Sequence, residues 1–467
     1  MENFIHVLTN VNNSLNSFIW GPVMLVAFLS VGLMFTIRTR VFQISYIRHW
    51  LDVTFLQLFR DQKVIKTDDK HAISQFQSLC TALAGTIGTG NIAGVATAIV
   101  TGGPGSIFWM WISAFLGMMT IYAENALGIK YRYKNKKGTW IGGAMIYIER
   151  GLGSKWLAVI FSAFYALASF GIGNMTQANS IACGLESFGI DHKITGIILI
   201  FFVSMVILGG IKRIAGITDK FVPFMALFYI LGGLLVIIIN YERIPAALAL
   251  IFSEAFNFRA TGAGSLGYGI AIAMRKGISR GVFSNEAGLG SSVTVHSASD
   301  VKEPVIQGMW GIFQVFADTL VICTITALTI LTSGVYNIEQ YLTDIDNGIE
   351  VISGTALTSK AFASAIPFGG KFVSFSIILF AFSTLLAWSY YGERAVEYLF
   401  GSKSVKIYKL IFICAIYIGC VSSLNLVWDI SDTLNGFMAV PNLIAITLLS
   451  DEVITMTKKY ISKKTSL

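Results

Sequence analysis

Charge is what this sequence has least of: 13% of its 467 residues are Asp, Glu, Lys or Arg, against 54% hydrophobic, and the mean hydropathy is +0.68. The few charges cluster between long uncharged runs, which excludes a soluble globular chain. Cysteine is also sparse. The five present (Cys80, Cys183, Cys323, Cys414 and Cys420) are scattered through apolar stretches without a CxxC pair and read as small buried hydrophobes. The histidines (His6, His49, His71, His192 and His296) are isolated, without metal-ligand spacing. With no nucleophile elbow and no zinc-protease helix either, no enzyme constellation is present. Positive charge is missing from Met1 to Ser17, where a cleavable signal peptide would need it, so the first apolar span is expected to be retained.

Apolar length is what the chain has in its place. Runs such as 18–37, 156–185, 221–241 and 372–391 match the roughly 20 residues that cross a bilayer core as a helix. Turn signals added to these runs predict an all-α polytopic membrane protein of about eleven transmembrane helices. They fall near 18–37, 74–101, 105–131, 155–185, 194–211, 219–241, 262–299, 305–333, 370–392, 407–424 and 429–450. Ala72 to Ala123 is too long for one helix, and Gly102-Gly103-Pro104-Gly105 folds it into a hairpin. The string Gly262 to Gly267 fits a dinucleotide fingerprint, but no parallel-sheet unit surrounds it, and it is read as coincidence.

The formal charge of +8 would suggest nucleic acid in a soluble protein. Here the cations border membrane spans, and topology explains them. Odd-numbered loops collect them: Arg38, Arg40, Arg48, Arg60, Lys63, Lys66 and Lys70 in the first, then the Lys130–Lys155 group, Lys212, Arg213 and Lys220, and Lys403, Lys406 and Lys409. The even loops are neutral or acidic, most clearly where Glu339, Asp344, Asp346 and Glu350 lie. The expected orientation is N-terminus outside and C-terminus cytoplasmic, in the plasma (inner) membrane. Arg275, Lys276 and Arg280 strain this layout, since they fall inside the seventh span.

Two glycine-rich clusters interrupt apolar spans. Ala84-Gly85-Thr86-Ile87-Gly88-Thr89-Gly90-Asn91, with Gly94 after it, is a poor recipe for continuous helix. Gly281 to Gly290 separates two apolar stretches, each too short to span alone. Irregular backbone at membrane depth is tolerated only where it lines protein or a solute cavity. After one peripheral span, the two clusters open two blocks of five spans. An odd number of spans per block makes the blocks inverted, and paired broken helices at matching positions point to a secondary transporter's site. Taken alone, either cluster could equally be a close helix crossing.

At these residues the sequence resembles the alanine or glycine:cation symporter family, the sodium:alanine symporters. The marks are Ala84 to Val95, Gly142-Gly143-Ala144-Met145, and above all Arg280-Gly281-Val282-Phe283-Ser284-Asn285-Glu286-Ala287-Gly288-Leu289-Gly290. The resemblance implies a leucine-transporter-type 5+5 inverted repeat with one extra N-terminal helix, importing alanine or glycine with sodium by alternating access. It implies this layout: 1–70 peripheral helix and cytoplasmic loop, 71–241 first repeat, 242–261 extracellular connector, 262–450 second repeat, 451–467 cytoplasmic tail. By analogy with that fold, the N–H groups of Thr89 and Gly90 meet the substrate carboxylate, Thr86 lies near the ammonium, and Asn91 belongs to the same break. Backbone oxygens near Ala84 and Ile87 face sodium, completed by the hydroxyls of Ser383 and Thr384, hard ligands for a small hard cation. Trp388, four residues beyond Thr384, is expected to roof the pocket and exclude bulky side chains. Asn174 and Gln177, three apart, are expected to share one face as further substrate contacts. In the second break Phe283, Ser284 and Asn285 are expected at the substrate, and Glu286 is expected to pair with Arg280. No cofactor, protein partner or nucleic acid is implied; the partners are the amino acid, sodium and the bilayer. The intramembrane acids Asp318 and Glu124 keep proton coupling as an alternative. A membrane-embedded enzyme would need convergent catalytic acids, and a channel would need pore-lining rings from oligomer symmetry.

Overall fold

The computed structural model describes residues 2–136, 138–257, 268–349, 351–422 and 425–465. Helices make up almost all of it, and the one sheet among the described residues is the two-stranded pair Tyr133–Lys134 and Trp140–Ile141. Among the described residues, seven helical segments are long and apolar enough to cross a membrane: Thr9–Arg38 (interrupted at Gly21), Gly105–Tyr131, Lys155–Glu186, Gly210–Ile239, Pro304–Thr332, Gly369–Phe400 and Ser404–Val421. Gln75–Thr86 and Gly90–Gly102 form a further span bent by 52°, and Trp428–Leu448 meets Ser450–Lys464 at 56°. His192–Ile207 is shorter but apolar.

The helices sort by what they face. Ile194, Ile197, Phe201, Phe202 and Met205 on one, and Phe224, Leu227, Leu231, Leu235 and Ile238 on another, are exposed, as a lipid-facing surface requires. Gly369–Phe400 buries most of its length, including Ser383, Thr384 and Trp388, so it stands inside the bundle.

Several boundaries differ from expectation for identifiable reasons. The ninth span continues past 392 because its charges pair instead of ending it. Arg394 bridges Glu393 and Glu397 at 2.5 Å each, and Lys409 reaches Glu393 at 2.9 Å from the next helix. The sixth begins at Gly210, its Asp219 accepting a bond of 2.9 Å from Gln77 Nε2. The connector expected over 242–261 contains a helix, Ile244–Ala255, held to Gly105–Tyr131 by Trp109 Nε1 donating to Ala255 O at 3.1 Å. The Gly262–Gly267 string and the start of the seventh span lie outside the described residues.

The second break begins later than the sequence suggests. The helix Tyr268–Asn285 runs straight through Gly281, and the chain turns only at Glu286, with φ of +60° there, +90° at Gly288 and +72° at Gly290. Gly288 and Gly290 take this left-handed backbone without a Cβ penalty. Asn285 Oδ1 caps the turn by accepting from Ala287 N at 3.0 Å. The segment after the turn holds a single helical turn, Val293–His296, not a second half-helix. The chain entering the first broken span is tied to the chain leaving the second, where Ile73 N donates to Ala298 O (3.1 Å) and Asp300 N to Ile73 O (2.9 Å).

Arg275, Lys276 and Arg280 ride on this helix partly exposed, not sealed in the core. The Arg280 guanidinium sits 5.6 Å from the Phe283 ring.

Candidate functional site

The first break frees the Ala84 carbonyl from its helical partner and recruits another helix to meet it. In an unbroken helix Ala84 O would accept from Gly88 N. Here Gln75–Thr86 stops, Ile87 takes extended backbone, and Gly88 N donates to Asn91 Oδ1 instead, at 2.9 Å. Ala84 O is met across the bundle by Thr384 Oγ1 at 3.0 Å and Ser383 Oγ at 3.5 Å. Both hydroxyls also bond Phe380 O, at 3.0 and 2.8 Å, so two oxygen-bearing side chains and a freed carbonyl converge. After the break, Thr89 and Gly90 head the second half-helix, where first-turn N–H groups lack partners within the helix and the dipole favours negative charge.

Above this point lies a cavity of about 10 Å³, room for a single water, lined by Gly85, Thr86, Gly88, Thr89, Gly90, Ile172, Gln177, Phe283, Glu286, Thr384 and Trp388. Two of its buried polar atoms, Thr89 Oγ1 and Gln177 Oε1, have no hydrogen-bond partner among the described residues. Buried polar groups normally have a hydrogen-bond partner, so these two are free to take one from a polar molecule entering the cavity. Gly90 presses close: a Cβ there would lie 3.2 Å from Phe283 Cδ1.

Not every expected residue reaches the cavity. Asn174 and Gln177 do not act on one face, because a π-helical turn over Gly171–Met175 displaces the residues that follow it. Gln177 turns to the cavity, while Asn174 Nδ2 donates to Phe412 O at 2.7 Å, toward a neighbouring helix. Ser284 and Asn285 are absent from the cavity lining. Ser284 Oγ donates to Asp318 Oδ2 at 2.8 Å and Asn285 Nδ2 to Thr319 Oγ1 at 3.1 Å. Asn91 Nδ2 also donates to Asp318, to Oδ1 at 2.8 Å, and Thr319 Oγ1 to Oδ2 at 2.8 Å. Asp318, on another π-helical stretch (Phe316–Cys323), thus ties both broken helices to a third span. Glu286 does not pair with Arg280: its oxygens accept from Ser291 Oγ (2.5 Å) and Trp388 Nε1 (3.1 Å). Glu124, the other intramembrane acid, lies apart from the cavity and accepts from Asn442 Nδ2 at 2.5 Å.

Sequence reasoning missed four lining residues, Gly85, Gly88, Ile172 and Glu286, as substrate-side groups. The Gly171-Ile172-Gly173 run was a usable signal for one of them, since a Cβ on Gly173 would strike the Trp388 ring.

Comparison with known proteins gives this geometry its context. Residues 5–467 match the sodium:alanine symporter family. The chain belongs to that family. It is 47% identical to the sodium/alanine symporter AgcS of Methanococcus maripaludis over 453 residues, 96% of each chain. It is also 36% identical to the probable sodium/glutamine symporter GlnT of Bacillus subtilis over 462 residues, 98% of this chain and 92% of that one. Among solved structures, MhsT in complex with L-phenylalanine matches with a TM-score of 0.59 at 12% identity, covering 82% of this chain and 92% of that chain. A sodium-coupled sialic acid symporter matches at 0.53 and 15%, covering 94% and 86%. The fold is therefore the leucine-transporter type, and this sodium:alanine symporter family member is a multi-pass, cation-coupled amino-acid symporter, not an enzyme.

Proposed function

We propose that the chain imports small neutral amino acids, alanine or glycine, with sodium as the coupling ion, by alternating access between two inverted repeats at 71–241 and 262–450. The observation that carries this reading is the freed carbonyl of Ala84 facing the hydroxyls of Thr384 and Ser383, directly below a cavity with unpartnered polar atoms. Carbonyl and hydroxyl oxygens are the hard ligands a small hard cation selects. In this reading Ala84, Ile87, Ser383 and Thr384 hold the ion. The amides of Thr89 and Gly90 take the substrate carboxylate, Thr86 and Gln177 lie toward the ammonium, and Phe283 and Trp388 close over a methyl-sized side chain. Asn91, Ser284 and Asn285 act one layer out, fixing the breaks through Asp318.

The cavity's small size supports a small substrate and a closed state, and access then requires Phe283 or Trp388 to move. The cation pattern of the loops supports an N-terminus outside and a cytoplasmic C-terminus. Inward movement of one charge at 100 mV contributes about 2.3 kcal/mol, enough to concentrate solute roughly fifty-fold. Relatives named for sodium with alanine or glutamine support sodium as the ion, while another, 37% identical over 461 residues, is named as a putative sodium/proton-dependent alanine carrier. The test is uptake of labelled alanine into proteoliposomes with imposed sodium or proton gradients. Saturable uptake driven by sodium alone is expected, and uptake driven by a proton gradient without sodium overturns the ion assignment.

A further inference from the structure

Among the described residues, Glu286 is the one acidic or basic side chain in the cavity lining, and the functional reading above leaves it without a role. It is 3% exposed, and both carboxylate oxygens accept from neutral donors: Oε2 from Ser291 Oγ at 2.5 Å, Oε1 from Trp388 Nε1 at 3.1 Å. Among the described residues, no Lys, Arg or His forms an ion pair with it. A buried carboxylate without a cation is costly, and neutral donors offset only part of that cost. Its backbone is held in the left-handed region at φ +60°, an uncommon conformation for a residue other than glycine, and this turn sets the direction of the side chain.

An amino acid entering the cavity brings the missing cation. The half-helix amides at Thr89 and Gly90 suit its carboxylate, but Thr86 and Gln177 offer its ammonium only neutral oxygens. The Trp388 indole occupies one of the Glu286 oxygens that an ammonium would use, and the same ring helps reduce the cavity to about 10 Å³. A single event resolves both problems. We propose that Glu286 is the counter-charge for the substrate ammonium, which displaces the Trp388 indole N–H from Oε1 and so releases the ring that closes the cavity. The exchange replaces a neutral donor by a charged one, a stronger hydrogen bond. It makes the transporter selective for zwitterions over anions of the same size. The indole remains supported by aromatic neighbours, with Tyr391 at 5.4 Å and Tyr165 at 6.0 Å between ring centroids, so it has an apolar surface to move along.

This assignment rests on the functional reading above, and the test separates the two. Alanine half-saturation is measured at saturating sodium in proteoliposomes, with propionate, alanine's analogue lacking the amino group, as competitor. Glu286→Gln keeps the shape and an acceptor oxygen but loses the charge. It is expected to raise alanine half-saturation about tenfold or more, the scale of a charge-assisted bond, and to narrow the alanine-to-propionate preference by a similar factor. General damage to the site would weaken both ligands alike and leave that preference unchanged, which overturns the proposal. A raised sodium requirement with unaltered alanine half-saturation also overturns it, by assigning the carboxylate to the ion. Trp388→Phe removes the competing N–H while keeping a ring and is expected to lower alanine half-saturation; an unchanged or higher value counts against the exchange even if the Gln variant does not fold. Absence of saturable alanine uptake by the unsubstituted protein would overturn the functional reading and this assignment together.

Discussion

Thr384→Ala is the sharpest probe of the ion site. Thr384 Oγ1 lies 3.0 Å from the Ala84 carbonyl that the helix break sets free, and Ser383 Oγ stands farther off at 3.5 Å. Removing the Thr384 hydroxyl takes away the better placed of the two side-chain ligands. Hydrogen-bond-type contacts to a charged group are worth about 1.5–3 kcal/mol, which corresponds to roughly a 10- to 150-fold weaker ion site. Ser383 remains to share the load, which places the expected shift near the lower end. Folding should suffer little, because Ala84 O keeps Ser383 as a neighbour, and one lost neutral hydrogen bond costs only about 1 kcal/mol. The assay is labelled-alanine uptake in proteoliposomes over a sodium titration, with Thr384→Ser as the control that restores the oxygen. The expected result is a sodium half-saturation raised about tenfold in the Ala variant and near the unsubstituted value in the Ser variant. An unchanged sodium dependence in the Ala variant would refute the placement of the ion between the break and this helix.

Trp388→Ala should let larger neutral amino acids compete with alanine, at a stability cost of about 3–5 kcal/mol for emptying a buried tryptophan site. A competition profile as narrow as before, in protein that still folds, would contradict its role as the roof. Asp318→Asn places an amide among three donors, from Asn91, Ser284 and Thr319, so at least one is left facing a donor. We expect a lower Tm, consistent with about 1–3 kcal/mol, together with reduced uptake; thermal unfolding in detergent measures the first. Gly90→Ala brings a Cβ to 3.2 Å from the Phe283 ring, which must shift to admit it. Weaker alanine binding with an unaltered sodium half-saturation is the expected result, and a titration of each ligand separately checks it.

Much of the architecture was legible in the residues, because a bilayer imposes length and apolarity on every span and tolerates glycine-rich breaks only where they line a cavity. The break at Ala84 to Asn91 was legible through its pairing with the second cluster, since a lone glycine-rich run could equally be a close helix crossing. The later start of the second break was not legible: Gly281 fits a helix when its neighbours pack around it, and the turn waits for the left-handed residues at Glu286, Gly288 and Gly290. The extension of the ninth span past 392 was hidden for a similar reason, since Glu393 and Arg394 look like a loop until Glu397 and Lys409 are seen to neutralise them.

Side-chain direction was the least readable quantity. Spacing of three residues put Asn174 and Gln177 together, and a π-helical turn, which no periodicity announces, sent one toward Phe412 and the other to the cavity. Composition, run length and the two clusters by themselves determined a helical membrane protein with two interrupted spans, since those follow from transfer of groups between water and lipid, a property of each residue. Which polar groups those spans bring face to face was decided only by the packed bundle. Ser284 and Asn91 were drawn to Asp318, and Glu286 to Trp388 instead of Arg280, because a buried polar atom takes whichever partner the tertiary structure carries to within hydrogen-bond reach.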